Sequence, residues 1–180
     1  MTEILAISGS LRHASTNTAA LRSAAALAPD GTTVTLFQGL DSLPHFNPDR
    51  DVDPLPEPVT ALRHAVSACD AVLFSTPEYA GTLPGSFKNL LDWMVGGTEL
   101  NDRAVGWINT SPGIGRGSGA TAALITVLHY VTANIIDDAC VQVPIGREHV
   151  GLDGIVTDDS LRAQIILAVE ALTAGIDSAS

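Results

Sequence analysis

Positive charge is scarce in this chain: 180 residues carry nine Lys and Arg against twenty Asp and Glu, a formal net charge of −11. No run of Lys or Arg occurs, so a nucleic-acid backbone would be repelled and nucleic acid is excluded as a partner. Cysteine is nearly missing as well. Cys69 and Cys140 lie far apart without C-x-x-C spacing, each in or beside an apolar segment, and both read as small buried hydrophobes. The five histidines, His13, His45, His64, His129 and His149, show no H-x-x-x-H spacing, so no metal site is expected. The N-terminus has no basic segment followed by an apolar stretch, and no apolar run approaches the roughly 20 residues of a membrane helix. These absences predict a cytoplasmic chain without a membrane partner. The 46% hydrophobic content suffices for one domain over residues 1–180.

What the chain does have is alternation. Short apolar or β-branched runs, Glu3 to Ser8, Thr33 to Phe37, Ala71 to Ser75, Ala104 to Asn109 and Ala139 to Val143, read as strands buried on both faces. Helical patterns, Asn17 to Ala28, Val59 to Ala68, Pro84 to Val95, Gly119 to Thr132 and Ser160 to Ala174, stand between and after them. The predicted fold class is α/β, a doubly wound five-stranded parallel sheet in order 2-1-3-4-5 with helices on both faces. Ligands bind such sheets over the strand C-termini at the switch point, which brings the loops after strands one, three and four to one pocket.

The first of these loops, Ser8-Gly9-Ser10-Leu11-Arg12-His13-Ala14-Ser15-Thr16-Asn17, links an apolar strand to an Ala/Leu helix. A helix start there presents free N–H groups with partial positive charge, and the hydroxyls and one Arg add donors, which makes a phosphate cradle. No Lys follows the Gly9 turn, and Leu11 and Arg12 stand where the dinucleotide fingerprint needs glycine, so neither nucleotide motif fits. An N-capped helix with no ligand, Ser15 or Asn17 taking a backbone N–H, is the plain alternative. The second loop, Thr76-Pro77-Glu78-Tyr79-Ala80-Gly81-Thr82-Leu83-Pro84-Gly85, is longer than the roughly 2–6 residues of an ordinary connection. The third, Ser111-Pro112-Gly113-Ile114-Gly115-Arg116-Gly117-Ser118-Gly119, alternates glycines in a way that lets backbone approach a flat ligand. The segment Gly39 to Pro58, rich in Pro and Asp, is expected to wall the pocket or a dimer seam.

With these loops the chain resembles the NADPH-dependent FMN reductase family, flavodoxin-like flavoproteins that include quinone, azo-compound and chromate reductases. The motifs are Gly9-Ser10-Leu11-Arg12-x-x-Ser15-x-Asn17, Thr76-Pro77-Glu78-Tyr79 and Pro84-Gly85-x-x-Lys88-Asn89-x-x-Asp92-Trp93. The resemblance implies tightly bound FMN, with NADPH or NADH as co-substrate. Ser10, Arg12, Ser15 and Asn17 would hold the phosphate, with backbone donors around Leu11 and Thr16. Pro77, Glu78, Tyr79 and Ala80 would follow the isoalloxazine edge, and Ser111 and Gly113 would approach its other side. The implied reaction is ping-pong hydride transfer through the flavin to a small acceptor such as a quinone, free flavin, azo compound or metal oxyanion, with no side chain acting as acid, base or nucleophile. A homodimer or homotetramer is implied too, with the Lys88 to Trp93 helix near the seam.

The chain departs from the family at Ala80, where Asn is usual, and at Arg116, where glycine is common. Arg116 is either a solvated loop charge or a grip for the 2′-phosphate of NADPH. A flavodoxin-type electron carrier without reductase activity and a flavin-free interaction protein of the same fold stand as alternatives.

Overall fold

The computed structural model describes residues 1–113 and 115–178. Strands β1 (Thr2–Ser8), β2 (Thr32–Leu36), β3 (Ala71–Ser75), β4 (Ala104–Asn109) and β5 (Asn134–Gln142) form one parallel sheet in the order β2-β1-β3-β4-β5. This is the predicted doubly wound topology. Winding reverses between β1 and β3, so a crevice opens above their C-terminal ends.

Five helices cover the sheet: α1 (Thr16–Ala26), α2 (Glu57–Ser67), α3 (Gly85–Val95), α4 (Ser118–Tyr130) and α5 (Asp159–Ser178). The two-residue period of β1 sorts them into layers. Leu5 and Ile7 pack with Val59 and Leu62 of α2, Leu90 and Leu91 of α3 and Leu124 of α4. Ile4 and Ala6 face the other way, toward Ala20 and Leu21 of α1 and Ile165 and Val169 of α5. Both faces are thus apolar, as strands covered on two sides require.

Two boundaries differ from the sequence reading by more than two residues. β5 starts at Asn134 rather than Ala139, and its pairing with β4 jumps from Val105↔Ile135 to Trp107↔Cys140. The extra residues bulge out with Asp137 and Asp138 exposed, so an edge strand carries charges that break its apolar run. α5 continues to Ser178, past the predicted end at Ala174.

The long segment after β2 folds onto α3. Leu40 and Leu43 enter the core beside that helix. Asn89 accepts the N–H of Phe46 at 2.7 Å and donates Nδ2 to the Pro44 carbonyl at 3.0 Å, while Trp93 Nε1 donates to the same carbonyl at 2.8 Å. Phe46 and Trp93 meet edge to face, ring centroids 5.0 Å apart. Arg63 of α2 adds an ion pair to Asp51 at 2.8 Å and hydrogen bonds to the Trp93 carbonyl. The Asn89 and Trp93 of the third motif therefore fasten this segment. Trp93 is fully buried within its own subunit, which removes it from any seam.

No described helix is long and apolar enough to cross a membrane. Cys140 is half-buried and Cys69 buried; burial pushes the Cys140 thiol up to about 12 and raises the Cys69 thiol as well. Cys69 keeps the buried role its sequence context predicts, whereas Cys140, on the edge strand β5, lines a groove beside α4 instead of entering the core.

Candidate functional site

The crevice above the sheet is a cleft of about 700 Å³, inside the range of about 300–1,000 Å³ typical of small-ligand sites. Its floor is the start of α1. Ser15 caps that helix, its Oγ accepting the N–H of Thr18 at 3.4 Å, and its carbonyl takes the N–H of Ala19 at 2.9 Å. The first-turn N–H groups of Thr16 and Asn17, two residues that line the cleft, have no intrahelical partner. The loop before the helix is held by its own hydroxyls: Ser8 Oγ accepts the N–H of Ser10, and Ser10 Oγ that of Arg12, each at 3.3 Å. The Arg12 guanidinium has no protein partner among the described residues and lies at the cleft wall.

Asn17 joins the floor to the sheet. It is buried, its Oδ1 accepts Ser75 Oγ at 2.9 Å, and its Nδ2 makes no hydrogen bond among the described residues. Thr16 Oγ1 meets Thr110 Oγ1 at 3.0 Å, tying the first loop to the end of β4. Gly9 lets the first loop press on the second: a Cβ there would lie 2.3 Å from Thr76 Oγ1 and 2.9 Å from the Phe87 ring.

Pro77, Glu78 and Tyr79 form one wall. Tyr79 and Thr82 exchange both backbone hydrogen bonds, at 2.9 and 3.1 Å, with Ala80 at φ +50° and Gly81 at φ +78° between them. Two successive left-handed residues in a two-residue hairpin define a type I′ turn, for which Asn-Gly is the favoured pair. The Asn usual in the family at position 80 therefore has a backbone reason to be there, and Ala80 occupies a conformation that costs a Cβ-bearing residue energy. Glu78 Oε2 accepts the N–H groups of Gly119 at 2.8 Å and Ala120 at 3.2 Å, closing the otherwise uncapped start of α4.

The opposite wall is Thr110, Ser111 and Pro112, with Arg116 and Gly117. Asn109 holds this loop, accepting the N–H of Ser111 at 3.0 Å and donating Nδ2 to the Arg116 carbonyl at 2.9 Å. Gln142 at the end of β5 donates to the carbonyls of Ser111 and Gly113. Ile114 lies outside the described residues.

Nine of the twelve residues expected at the site line the cleft: Ser10, Arg12, Ser15, Thr16 and Asn17 from the first loop, Pro77, Glu78 and Tyr79 from the second, and Ser111 from the third. Leu11, Ala80 and Gly113 do not. Leu11 points to solvent, Ala80 forms the tip of the turn, and Gly113 lies behind the rim against the Arg116 side chain. None of the lining comes from the segment after β2, so its expected role as a wall is not met in this cleft. Ile145, Gly146 and Arg147, after β5, complete the lining. Sequence reading passed over them because that loop has neither glycine repeats nor clustered hydroxyls. The topology carries the signal, since β5 is parallel and its C-terminus lies at the same end of the sheet.

A helix start with free N–H groups, ringed by hydroxyls and an unpaired Arg, suits a phosphate monoester. Two backbone-rich walls beyond it suit a flat ring. The residues present thus fit FMN.

Known proteins agree with this geometry. The NADPH-dependent FMN reductase family matches residues 2–148. The NAD(P)H-dependent FMN reductase of Pseudomonas aeruginosa is 41% identical over 91 residues, 51% of this chain and 49% of the relative. A quinone reductase of Pseudomonas putida is 31% identical over 144 residues, 78% of this chain and 74% of the relative. The chain thus spans about half of the first relative's length and about three quarters of the second's. Among solved structures, the flavoenzyme NAD(P)H:acceptor oxidoreductase FerB of Paracoccus denitrificans superposes with a TM-score of 0.81 at 29% identity, covering 99% of this chain and 98% of that one. With the fold, the phosphate-type helix start and a family match over most of its length in agreement, the chain belongs to the NADPH-dependent FMN reductase family.

Proposed function

We propose that the protein is an FMN-dependent NAD(P)H oxidoreductase that reduces a small acceptor such as a quinone. The observation that carries this reading is the helix start of α1, where the N–H groups of Thr16 and Asn17, the Ser15 cap and the unpaired Arg12 gather at one end of a cleft walled by backbone. Bound FMN would supply the redox chemistry, accepting a hydride from NAD(P)H and passing its electrons to the acceptor. Arg12, Ser10 and the first turn of α1 hold the phosphate. Asn17 offers its free Nδ2 beside it. Pro77, Tyr79 and Ser111 orient the ring between them, and Glu78 sets the spacing of the two walls through its hold on α4. Thr110 closes the floor between them. None of these side chains is required to move a proton.

Assembly as a homodimer or homotetramer in the cytoplasm belongs to the same reading. Leu11 of the first loop and Tyr79 of the second leave 56% and 48% of their surface open, apolar area that a second copy would cover. A monomeric mass by light scattering at micromolar concentration would contradict that assembly.

The test of the activity is direct. Purified protein supplied with FMN should turn yellow, and NADPH added without oxygen should bleach it. Yellow protein that NADPH cannot bleach would make it an electron carrier, and colourless protein that takes up no flavin would make it an interaction protein of the same fold.

A further inference from the structure

Beside the main cleft, across the ridge formed by Ala14, Ser15 and Thr16, lies a second cleft of about 290 Å³. One side of it is α1: Ser15, Ala19 and Arg22 fall three or four residues apart and share a helix face. The other side is the loop after β5, from Arg147 to Gly154. That loop is pinned. Val156 donates its N–H to the buried Ser23 Oγ of α1 at 2.8 Å, Thr157 donates to the His149 carbonyl at 2.8 Å, and Val150 bridges Val156.

Two cations of this acidic chain line the cleft together. Arg63, Lys88 and Arg162 each pair with a carboxylate. Arg22 and Arg147 enter no ion pair, and their side chains donate no hydrogen bond, among the described residues. The Arg22 guanidinium lies against the Gly154 turn, where a Cβ would come within 2.6 Å of Nη1. His13 adds a ring donor from the ridge. The carboxylate in the lining, Asp153, spends Oδ1 on the N–H of Ile155 at 3.0 Å. Val150 and the fully exposed Leu152 supply an apolar side. Two unpaired guanidiniums with an apolar wall suit a phosphomonoester on a nucleoside.

We infer that this cleft binds the adenosine 2′-phosphate of NADPH, gripped by Arg22 and Arg147, and so sets a preference for NADPH over NADH. The assignment rests on the proposed reductase function for its choice of nucleotide. Arg116 is the other cation that sequence pointed to; it lines the main cleft with Arg12, where the flavin is proposed to sit, and the groove it shares with Trp107 and Cys140 holds no second charge. A dianion is held better by a pair.

The experiment is calorimetric titration of the full chain, with and without FMN, using adenosine 2′,5′-bisphosphate, adenosine 5′-monophosphate and inorganic phosphate as probes. The bisphosphate should bind at least roughly tenfold tighter than the monophosphate, and Arg22→Gln and Arg147→Gln should each erase most of that margin. FMN uptake, followed by flavin absorbance, reports separately on the main cleft in the parent and in Arg22→Gln, a residue outside that cleft, while a thermal melt reports on folding of Arg147→Gln, which lines both clefts. Equal affinity for the two adenosine phosphates in a parent that takes up FMN overturns the assignment. So does a parental margin in both variants, or a margin lost in Arg116→Gly and kept in Arg22→Gln. Inorganic phosphate binding as tightly as the bisphosphate makes this a free-phosphate site and overturns its nucleotide role. A parent that takes up no FMN overturns the reductase reading, whichever way the bisphosphate behaves.

Discussion

Glu78 Oε2 accepts the backbone N–H of Gly119 at 2.8 Å, so a side chain from the loop after β3 caps α4 across 41 positions of sequence. The contact needs glycine at 119, because a Cβ there would lie 2.2 Å from the Gly81 carbonyl oxygen. It holds the two walls of the cleft at a set distance. Glu78→Ala removes a charged cap and should cost about 1–2 kcal/mol, lowering Tm by several degrees in a chain of this size. FMN affinity should fall with it. Thermal melts and a flavin titration check both, and an unchanged melt would mean that Glu78 caps nothing in solution.

Ala80 is the second residue that the structure reinterprets. Its φ of +50° inside a type I′ turn means that Ala80→Asn should stabilise the protein, by about 1 kcal/mol or roughly 2–4 °C in Tm. A bond to the flavin ring would predict a gain in FMN affinity with no such gain in stability. Differential scanning fluorimetry without flavin separates the two.

How far such features were legible in the sequence depends on where their physics resides. β3 and β4 were read to the residue because a central strand, buried wholly or nearly so, is a short apolar run bounded by turn residues. β5 was not, since a bulged edge strand carries Asp137 and Asp138 to solvent without penalty. The phosphate-type loop was readable from Ser, Arg and Asn next to a helix start. Glu78 was read as following a ring edge, because nothing in one sequence reports that its carboxylate meets the α4 N-terminus. Arg147 was missed for a similar reason: its importance comes from parallel topology and a loop pinned by Ser23, both long-range facts.

Asn89 spends both ends of its amide on the segment after β2, one on Phe46 and one on Pro44. Asn89→Ala leaves the part-buried Phe46 N–H without its partner and the Pro44 carbonyl with Trp93 Nε1 alone, and should cost about 1–3 kcal/mol. Because this segment does not line the main cleft, FMN affinity should stay near the parental value. Urea unfolding together with a flavin titration checks the pair of outcomes.

The cysteines make a pH prediction. Burial raises the Cys140 thiol to about 12 from an ordinary 9.0, and raises Cys69 in the same direction. The folded state therefore keeps protons that the unfolded state loses, so stability falls as pH rises above about 9 and is unaffected by these groups below it. At pH 7.5 neither thiol should react appreciably with Ellman's reagent until denaturant is added, when two thiols per chain appear. Rapid reaction of the native protein would contradict the raised thiols.

The central claim is that the α1 helix start and Arg12 hold a phosphate, and one comparison tests it most directly: FMN against riboflavin, in the parent and in Arg12→Ala, by flavin fluorescence quenching. Riboflavin carries the same ring without the phosphate. The parent should bind FMN far more tightly than riboflavin, and Arg12→Ala should weaken FMN by about 1.5–3 kcal/mol, roughly ten- to a hundredfold, while leaving riboflavin nearly unchanged. Equal affinity of the parent for the two flavins, or equal loss of both in the variant, would contradict it.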